Sequence, residues 1–444
     1  MITDELIDLI CSFKCEDVSE AAERKLRSCL VDTIGVTIAG REELKGKERL
    51  LKQLLGDTVK TVAPIGSKEK TSVVNAILIN GLNSHILELD DGVRYGVVHP
   101  SAPMFSALIP LVQVTHVPWE QFVLGAICGY EVSIRIATSM QPSHYSVGYH
   151  PTATCCTLGV AVAIAVMLGF TREEVKDALS AASISASGTL KVLEDVSQLK
   201  AYNCAKAALN GYYAAMMAKA GFKGPKEALD GETGFLNMMS SSWCKDVLTS
   251  RNDFLYVEKV YQKPYASCRH THPEIEACFK IRKNDGFNVN DVEKVEVRTY
   301  KGVVGKHDFK DIHGEASARM SIPYSVAISL TTGRAGIAEF TEPYVTDGNI
   351  LSLAQRVTVL PDEEFSRLVP DKRVAKVVVV MKDGTSMAAK VDYPKGEPEN
   401  PLTEEESMIK FLSMTSFAGI ANDEALKIYK EIQETEAPDI DRLW

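Results

Sequence analysis

Four polar islands interrupt sequence that is otherwise small, apolar or glycine-rich. The first runs from Glu88-Leu89-Asp90-Asp91-Gly92 to His99-Pro100-Ser101, and the second is Gly148-Tyr149-His150-Pro151-Thr152. The third is Asn203-Cys204-Ala205-Lys206, and the fourth runs from Lys263-Pro264-Tyr265 to Cys268 and His272. Together they supply carboxylates, imidazoles and ammonium groups. Burying such groups is costly unless they are paired or used. Several at once point to a pocket that moves protons and holds anions.

Each island has a bland reading beside the functional one. Three carboxylates at the end of an apolar helix could be a solvated terminus, but the helix dipole disfavours acids there. A functional loop is the better reading, with His99 held before Pro100 as a positioned acid or base. His150 stands where Pro151 and Thr152 look like a helix start. The dipole there disfavours an imidazolium, leaving a neutral ring able to take a proton; the alternative is a capping histidine. Lys206 has Asn203, Tyr202, Leu209 and Asn210 at helical spacing and no carboxylate among them. It either snorkels to solvent or binds an anion. Cys268, His270 and His272 alternate, which resembles metal-ligand spacing. No fourth ligand is evident, so the preferred reading is a cationic loop with Lys263 and Arg269 facing a cleft, joined by Arg319. No metal is expected.

These islands need elements to position them. Residues 1–250 read almost wholly as helix. A helix starts at Ser19-Glu20, and others cover Ser72–Leu87, Ser106–Thr115, Trp119–Thr138, Thr154–Leu168, Val175–Ser187 and Lys200–Ala220. They are rich in Ala, Gly, Ser and Cys, so a close-packed bundle is expected. The pattern changes near residue 255. Residues 292–300 alternate with period 2, and 374–381 and 386–392 flank Lys382-Asp383-Gly384-Thr385 as a hairpin. Pro273–Asn284 and Ser321–Thr332 read as helices within this part. The fold expected is mainly α: a helical bundle of residues 1–256 and 394–444, with an inserted α+β lid domain of residues 257–393.

The 444 residues carry 49 Lys and Arg against 59 Asp and Glu, a formal net charge of -10. No basic block appears, which argues against a nucleic-acid partner. An acidic chain that takes acidic substrates must do so with a few local cations. The N-terminus lacks a basic leader, and Val160–Phe170 is too short to span a bilayer, so a cytoplasmic protein without a membrane partner is expected. Ten scattered cysteines with no CxxC pair fit a reducing compartment.

The four islands also carry a resemblance. With Gly129-Tyr130-Glu131-Val132, Arg135 and Ser321-Ile322-Pro323-Tyr324, they make the chain similar to the MmgE/PrpD family along nearly its whole length. The resemblance implies a helical domain with an inserted lid, a homodimer and no metal or organic cofactor. It places His99, His150, Lys206, Lys263 and Tyr324 in the active site. The family's dehydratases and decarboxylases show an Asp-Phe-(Asp/Asn)-Asp-Thr pattern before the histidine. Here Glu88 replaces the first Asp and Gly92 the Thr. The function expected is a cofactor-independent lyase that removes a proton α to a carboxylate of a small di- or tricarboxylate. Dehydration is the first choice, with epimerisation or decarboxylation as alternatives and a non-catalytic binding protein as the reading from another class. In this scheme Asp91 orients a histidine, Tyr324 donates a proton or hydrogen bond, and Lys263, Arg269, Glu88 and His272 contact substrate.

Overall fold

The computed structural model describes residues 1–56, 59–193 and 197–444. Its first half is helical: α1 (Ile2–Cys11), α2 (Glu20–Leu55), α3 (Val73–Asn83), α4 (Ser101–Thr115), α5 (Trp119–Ser139), α6 (Ser143–Val147), α7 (Pro151–Met167), α8 (Arg172–Ser185) and α9 (Lys200–Lys219). Local sequence explains the starts. Ser19 caps α2 by accepting from the Ala22 N–H, and Thr171 and Glu174 form a reciprocal capping box on α8. Helix α7 is buried nearly all round, between α5 and α9. Glycine makes that possible. A Cβ on Gly159 would stand 1.8 Å from Ser133 Oγ and 2.6 Å from the Gly129 carbonyl, so α5 and α7 touch backbone to backbone. Helix α5 is apolar enough to cross a membrane by length and composition, yet 94% of its most apolar window is buried within the protein.

After the short α10 (Phe235–Met239) and α11 (Lys245–Thr249) come α12 (His272–Arg282), β1 (Val292–Thr299), α13 (Glu315–Ala318) and α14 (Ile322–Thr332). The chain continues through α15 (Gly348–Gln355), β2 (Val357–Pro361), α16 (Glu363–Arg367), β3 (Ala375–Met381) and β4 (Ser386–Val391). The sheet order is β2-β1-β3-β4, with β1 parallel to β2 and the other pairs antiparallel. Strand β1 and the hairpin lie where alternation and the Asp383-Gly384 turn put them. Strand β2 was not anticipated; five residues are too few to display a period, and its partner in β1 defines it. Helices α12 and α14 pack on the sheet. The chain then returns to helix in α17 (Glu404–Phe417) and α18 (Asn422–Glu434), both against α2. Arg27 of α2 donates to the carbonyls of Ile432, Thr435 and Glu436, which closes the last turn of α18 onto the bundle.

One buried acid in α12 gives a testable stability effect. Glu274 is fully buried, and neither carboxyl oxygen accepts a hydrogen bond of normal geometry, although Thr299 stands beside it. Burial pushes its pKa up to about 8. A raised folded-state pKa gives stability that is present below the unfolded value and lost as pH rises toward 8. Glu274→Gln removes that dependence. Urea unfolding should show the variant more stable by roughly 4 kcal/mol at pH 9, with little difference at pH 5. Equal stability of the two proteins at both pH values would mean the carboxylate is not desolvated.

Candidate active site

The first island is the frame of the site. Helix α3 stops at Asn83, short of the Leu87 expected, so the carboxylates fall in a loop that leads into α4 at Ser101. Two non-glycine residues in that loop, Glu88 and Val97, have φ of 53° and 52°, a conformation that persists only when the surroundings impose it. Asp91 sits beneath the loop. Its side chain accepts from Ser101 Oγ, which also meets Tyr130 Oη of α5, and burial raises its pKa to about 7. The Glu131–Arg135 pair of the same helix, 2.7 Å apart, is structural: Glu131 accepts from the Tyr256 N–H, and Arg135 donates to the carbonyls of Val247 and Ser250.

Three imidazoles gather above this base. His85 was not among the expected site residues. Its Nδ1 is 2.7 Å from Asp90 Oδ2, so Nδ1 carries the proton that the carboxylate accepts. Its Nε2 is buried, has no hydrogen-bond partner among the described residues, and belongs to a residue that lines a cavity of the protein. The His99 ring lies 5.0 Å from that of His85 and donates from Nδ1 to the Asp91 carbonyl at 2.5 Å. The His150 ring lies 6.2 Å from His85, and the residue stands at the N-cap position of α7 without a side-chain capping bond among the described residues. Its Nδ1 faces Asn203 Nδ2 at 3.4 Å, and the same amide nitrogen donates to the Thr189 carbonyl. A nitrogen that faces an amide donor must accept, so the His150 proton belongs on Nε2. Burial pulls the His99 pKa down to about 3 and that of His150 well below the usual imidazole range. Burial opposes ionisation of Asp90, but the adjoining His85, His99 and Lys263 hold its pKa below the usual range.

Two lysines complete the cluster. Lys200, at the start of α9, places Nζ 2.6 Å from Glu88 Oε2. Lys263 is wholly buried; it donates to the Glu88 carbonyl at 3.0 Å and lies 3.6 Å from the Glu88 carboxylate and 3.8 Å from Asp90. Against the burial penalty, Lys200 and Lys263 hold the Glu88 pKa well below normal. The cavity in front has a volume of about 870 Å³. His85, Glu88 and Lys200 line one side, and residues 305–320, with His307 and Arg319, line the other. His99, His150 and Lys263 stand behind that lining.

Four expected site residues lie elsewhere. Lys206 is half-buried, lines none of this cavity and makes no hydrogen bond or ion pair among the described residues. At about 100° per residue it points some 240° round α9 from Lys200. Tyr324 gives its hydroxyl hydrogen to the Glu339 carbonyl at 2.8 Å, within the segment that follows the cavity wall. Arg269 does not face a cleft. It spends its donors on Glu397, His272 and the carbonyls of Pro394 and Lys395. His272 accepts that Arg269 bond on Nδ1 and faces the Ser267 carbonyl with Nε2, so both ring nitrogens are occupied. Arg319 does reach the cavity, paired with Glu43 and Glu315. The missed residues left a faint signal. His85 lies three residues before Glu88, and Lys200 three before Asn203, each just outside the polar run beside it.

A buried cluster of imidazoles and carboxylates beside a cavity, with two lysines paired to its carboxylates, has the groups needed to hold and move protons. Family models match nearly the whole chain. The MmgE/PrpD N-terminal domain matches residues 4–246 and the MmgE/PrpD C-terminal domain matches residues 265–435. The chain belongs to the MmgE/PrpD family. It is 23% identical to the cis-aconitate decarboxylase of Mus musculus, over 94% of this chain and 87% of that protein. It is 26% identical to a cis-aconitate decarboxylase of Aspergillus terreus, over 83% and 79% of the two chains. It is 24% identical to the 2-methylcitrate dehydratase of Escherichia coli O157:H7, over 88% and 85%. Decarboxylation and dehydration are both lyase reactions.

Proposed function

We propose that this protein is a cofactor-independent lyase, a dehydratase that removes a proton α to a carboxylate and expels hydroxide from the adjacent carbon. The observation that carries the reading is the pair of opposite tautomers in one cluster. His85 lines the cavity, is backed by the Asp90 carboxylate and keeps an Nε2 lone pair without a hydrogen-bond partner among the described residues, so it can take the α-proton. His150 holds its proton on Nε2 and can give it to the leaving hydroxide, which departs as water while the carbon–carbon double bond forms. His99, neutral and tied to the Asp91 carbonyl, is the second imidazole within reach. Lys200 meets the substrate carboxylate as negative charge develops on it. Lys263 holds the Glu88 loop in place from behind.

The charge balance bears on substrate size. Glu88 already neutralises Lys200, and Glu43 and Glu315 neutralise Arg319. A Cβ on Gly92 would stand 2.4 Å from Tyr261 Oη, so the hydroxyl-bearing residue usual at this position has no room. Both features favour a dicarboxylate over the tricarboxylates named for the relatives. Because two imidazoles of opposite tautomer adjoin one carbon site, epimerisation is the second reading: one ring removes the proton and another returns it. Proton NMR of di- and tricarboxylates incubated in deuterium oxide separates these. Loss of substrate to an alkene supports the dehydratase, and deuterium uptake at unchanged composition supports the epimerase. Binding with neither exchange nor turnover across the panel would leave a binding protein.

The proposed assembly is a homodimer in the cytoplasm. Exposed Ile184, Leu199, Tyr202, Tyr213 and Met217 on α8 and α9 and the segment before α9 offer an apolar face, and every cysteine is unpaired, as in a reducing compartment. Light scattering should give about twice 48.6 kDa; a monomer at micromolar concentration would contradict the dimer.

A further inference from the structure

A second cluster lies in the segments that form the far wall of the cavity. Cys268, His270 and His307 each offer one donor atom, and these atoms lie within 4.8 Å of one another. The alternation of Cys268, His270 and His272 suggested a ligand run in sequence, but His272 is occupied by Arg269 and the Ser267 carbonyl. His307, from a distant segment, takes its place. We propose that Cys268, His270 and His307 form a binding site for one borderline-soft divalent cation of the zinc class.

The chemistry of the donors supports it. The His307 Nδ1 is 2.9 Å from the Met320 carbonyl, which can only accept. The ring therefore carries its proton on Nδ1 and leaves the Nε2 lone pair free, the form a metal requires. The His270 Nδ1 meets the Tyr300 hydroxyl, which holds the orientation of the second ring. Such outer contacts are what hold metal-ligating imidazoles in structures that bind zinc. The two segments are also pinned together. The Cys268 N–H donates to the Arg319 carbonyl at 2.8 Å, and the Ile322 N–H donates to the His307 carbonyl at 2.8 Å. In a tetrahedral zinc site, donors stand roughly 3.3–3.6 Å apart, so closing around an ion asks for about 1 Å of side-chain movement. Three protein ligands leave one position open, and His307 lines the cavity, from which water or a small anion can fill it.

The competing set is His85, Asp90 and His99. There the candidate donors are already hydrogen-bonded to each other and to the Asp91 carbonyl, so a cation must first break those bonds. The proposed site is separate from that cluster, and the acid–base reading stands whether or not it is filled.

Cobalt(II) is the probe, added alone to the chelator-treated full chain. One equivalent should bind and give a thiolate-to-cobalt charge-transfer band in the near ultraviolet. Cys268→Ser should abolish the band, and His307→Gln should weaken binding by about 100-fold or more. The double replacement of the exposed Cys11 and the surface Cys244 by Ser should change neither. Circular dichroism checks that each variant is folded, and anomalous density from a cobalt-soaked wild-type crystal places the ion without any substitution. Absence of binding, a band that survives Cys268→Ser, or density at His85 and Asp90 each overturns the proposal.

Discussion

Replacing His85 by glutamine lowers turnover by roughly 10²–10⁴-fold, the usual worth of a positioned general base, while the fold remains. Glutamine can still hydrogen-bond to Asp90, so the loop keeps its shape. What disappears is the Nε2 lone pair of a residue that lines the cavity. The pH profile sharpens the test. Burial holds His99 at about 3 and His150 well below the normal range, so neither ring becomes protonated between pH 5 and 8. A limb of kcat/KM within that window therefore does not report protonation of His99 or His150. Wild-type turnover in the His85→Gln variant would remove His85 from the mechanism and return the base to His99.

Lys200→Met carries two large effects at once. The methionine keeps much of the stem and removes the charge. A competitive dicarboxylate should bind about 10–100-fold more weakly, because a hydrogen bond to a charged group is lost. Stability should fall as well, since Glu88 is left buried with one partner fewer. Breaking such a pair costs about 3 kcal/mol, toward the low end of the usual range because Lys263 remains 3.6 Å away. The sign with pH follows from the depressed Glu88 pKa. A lowered folded-state pKa gives stability that is present above the unfolded value near 4.5 and lost as pH falls through the folded value. The gap between wild type and variant in urea unfolding should therefore be widest at pH 7 and narrow in acid. Lys206→Met serves as the contrast and should leave inhibitor affinity unchanged. If Lys206→Met weakens the inhibitor and Lys200→Met does not, the site lies on another face of α9.

The contrast between those two lysines shows where local reading stops. Both lie on one helix, and both precede small or apolar residues. Only the rotation of α9 against α3 and α7 decides which ammonium meets Glu88, and that rotation is a property of packing. Lys206 drew notice because no carboxylate stands at helical spacing from it, and for the same reason it has no partner. On sequence alone, Arg269 is expected on a cationic loop facing a cleft at the domain junction, and His272 among the substrate contacts. Their neighbours Glu397 and Lys395 are more than 120 residues away in sequence, and tertiary contact turns both into internal clamps.

By itself the sequence determined the mainly helical class, the starts of α2, α8 and α17, strand β1 and the β3–β4 hairpin, because caps, periods and turns are local. It also determined the family and the first polar island, where Glu88, Asp91 and His99 stand within one loop, and it placed His150 at the start of a helix as an acid–base candidate. The tertiary structure alone decided that His85 pairs with Asp90, that Lys200 and not Lys206 meets Glu88, that Tyr324 spends its hydroxyl on the Glu339 carbonyl, and that His307 joins Cys268 and His270. Each of those outcomes depends on where a side chain meets its partner in the folded chain, and no spacing along the chain encodes that meeting.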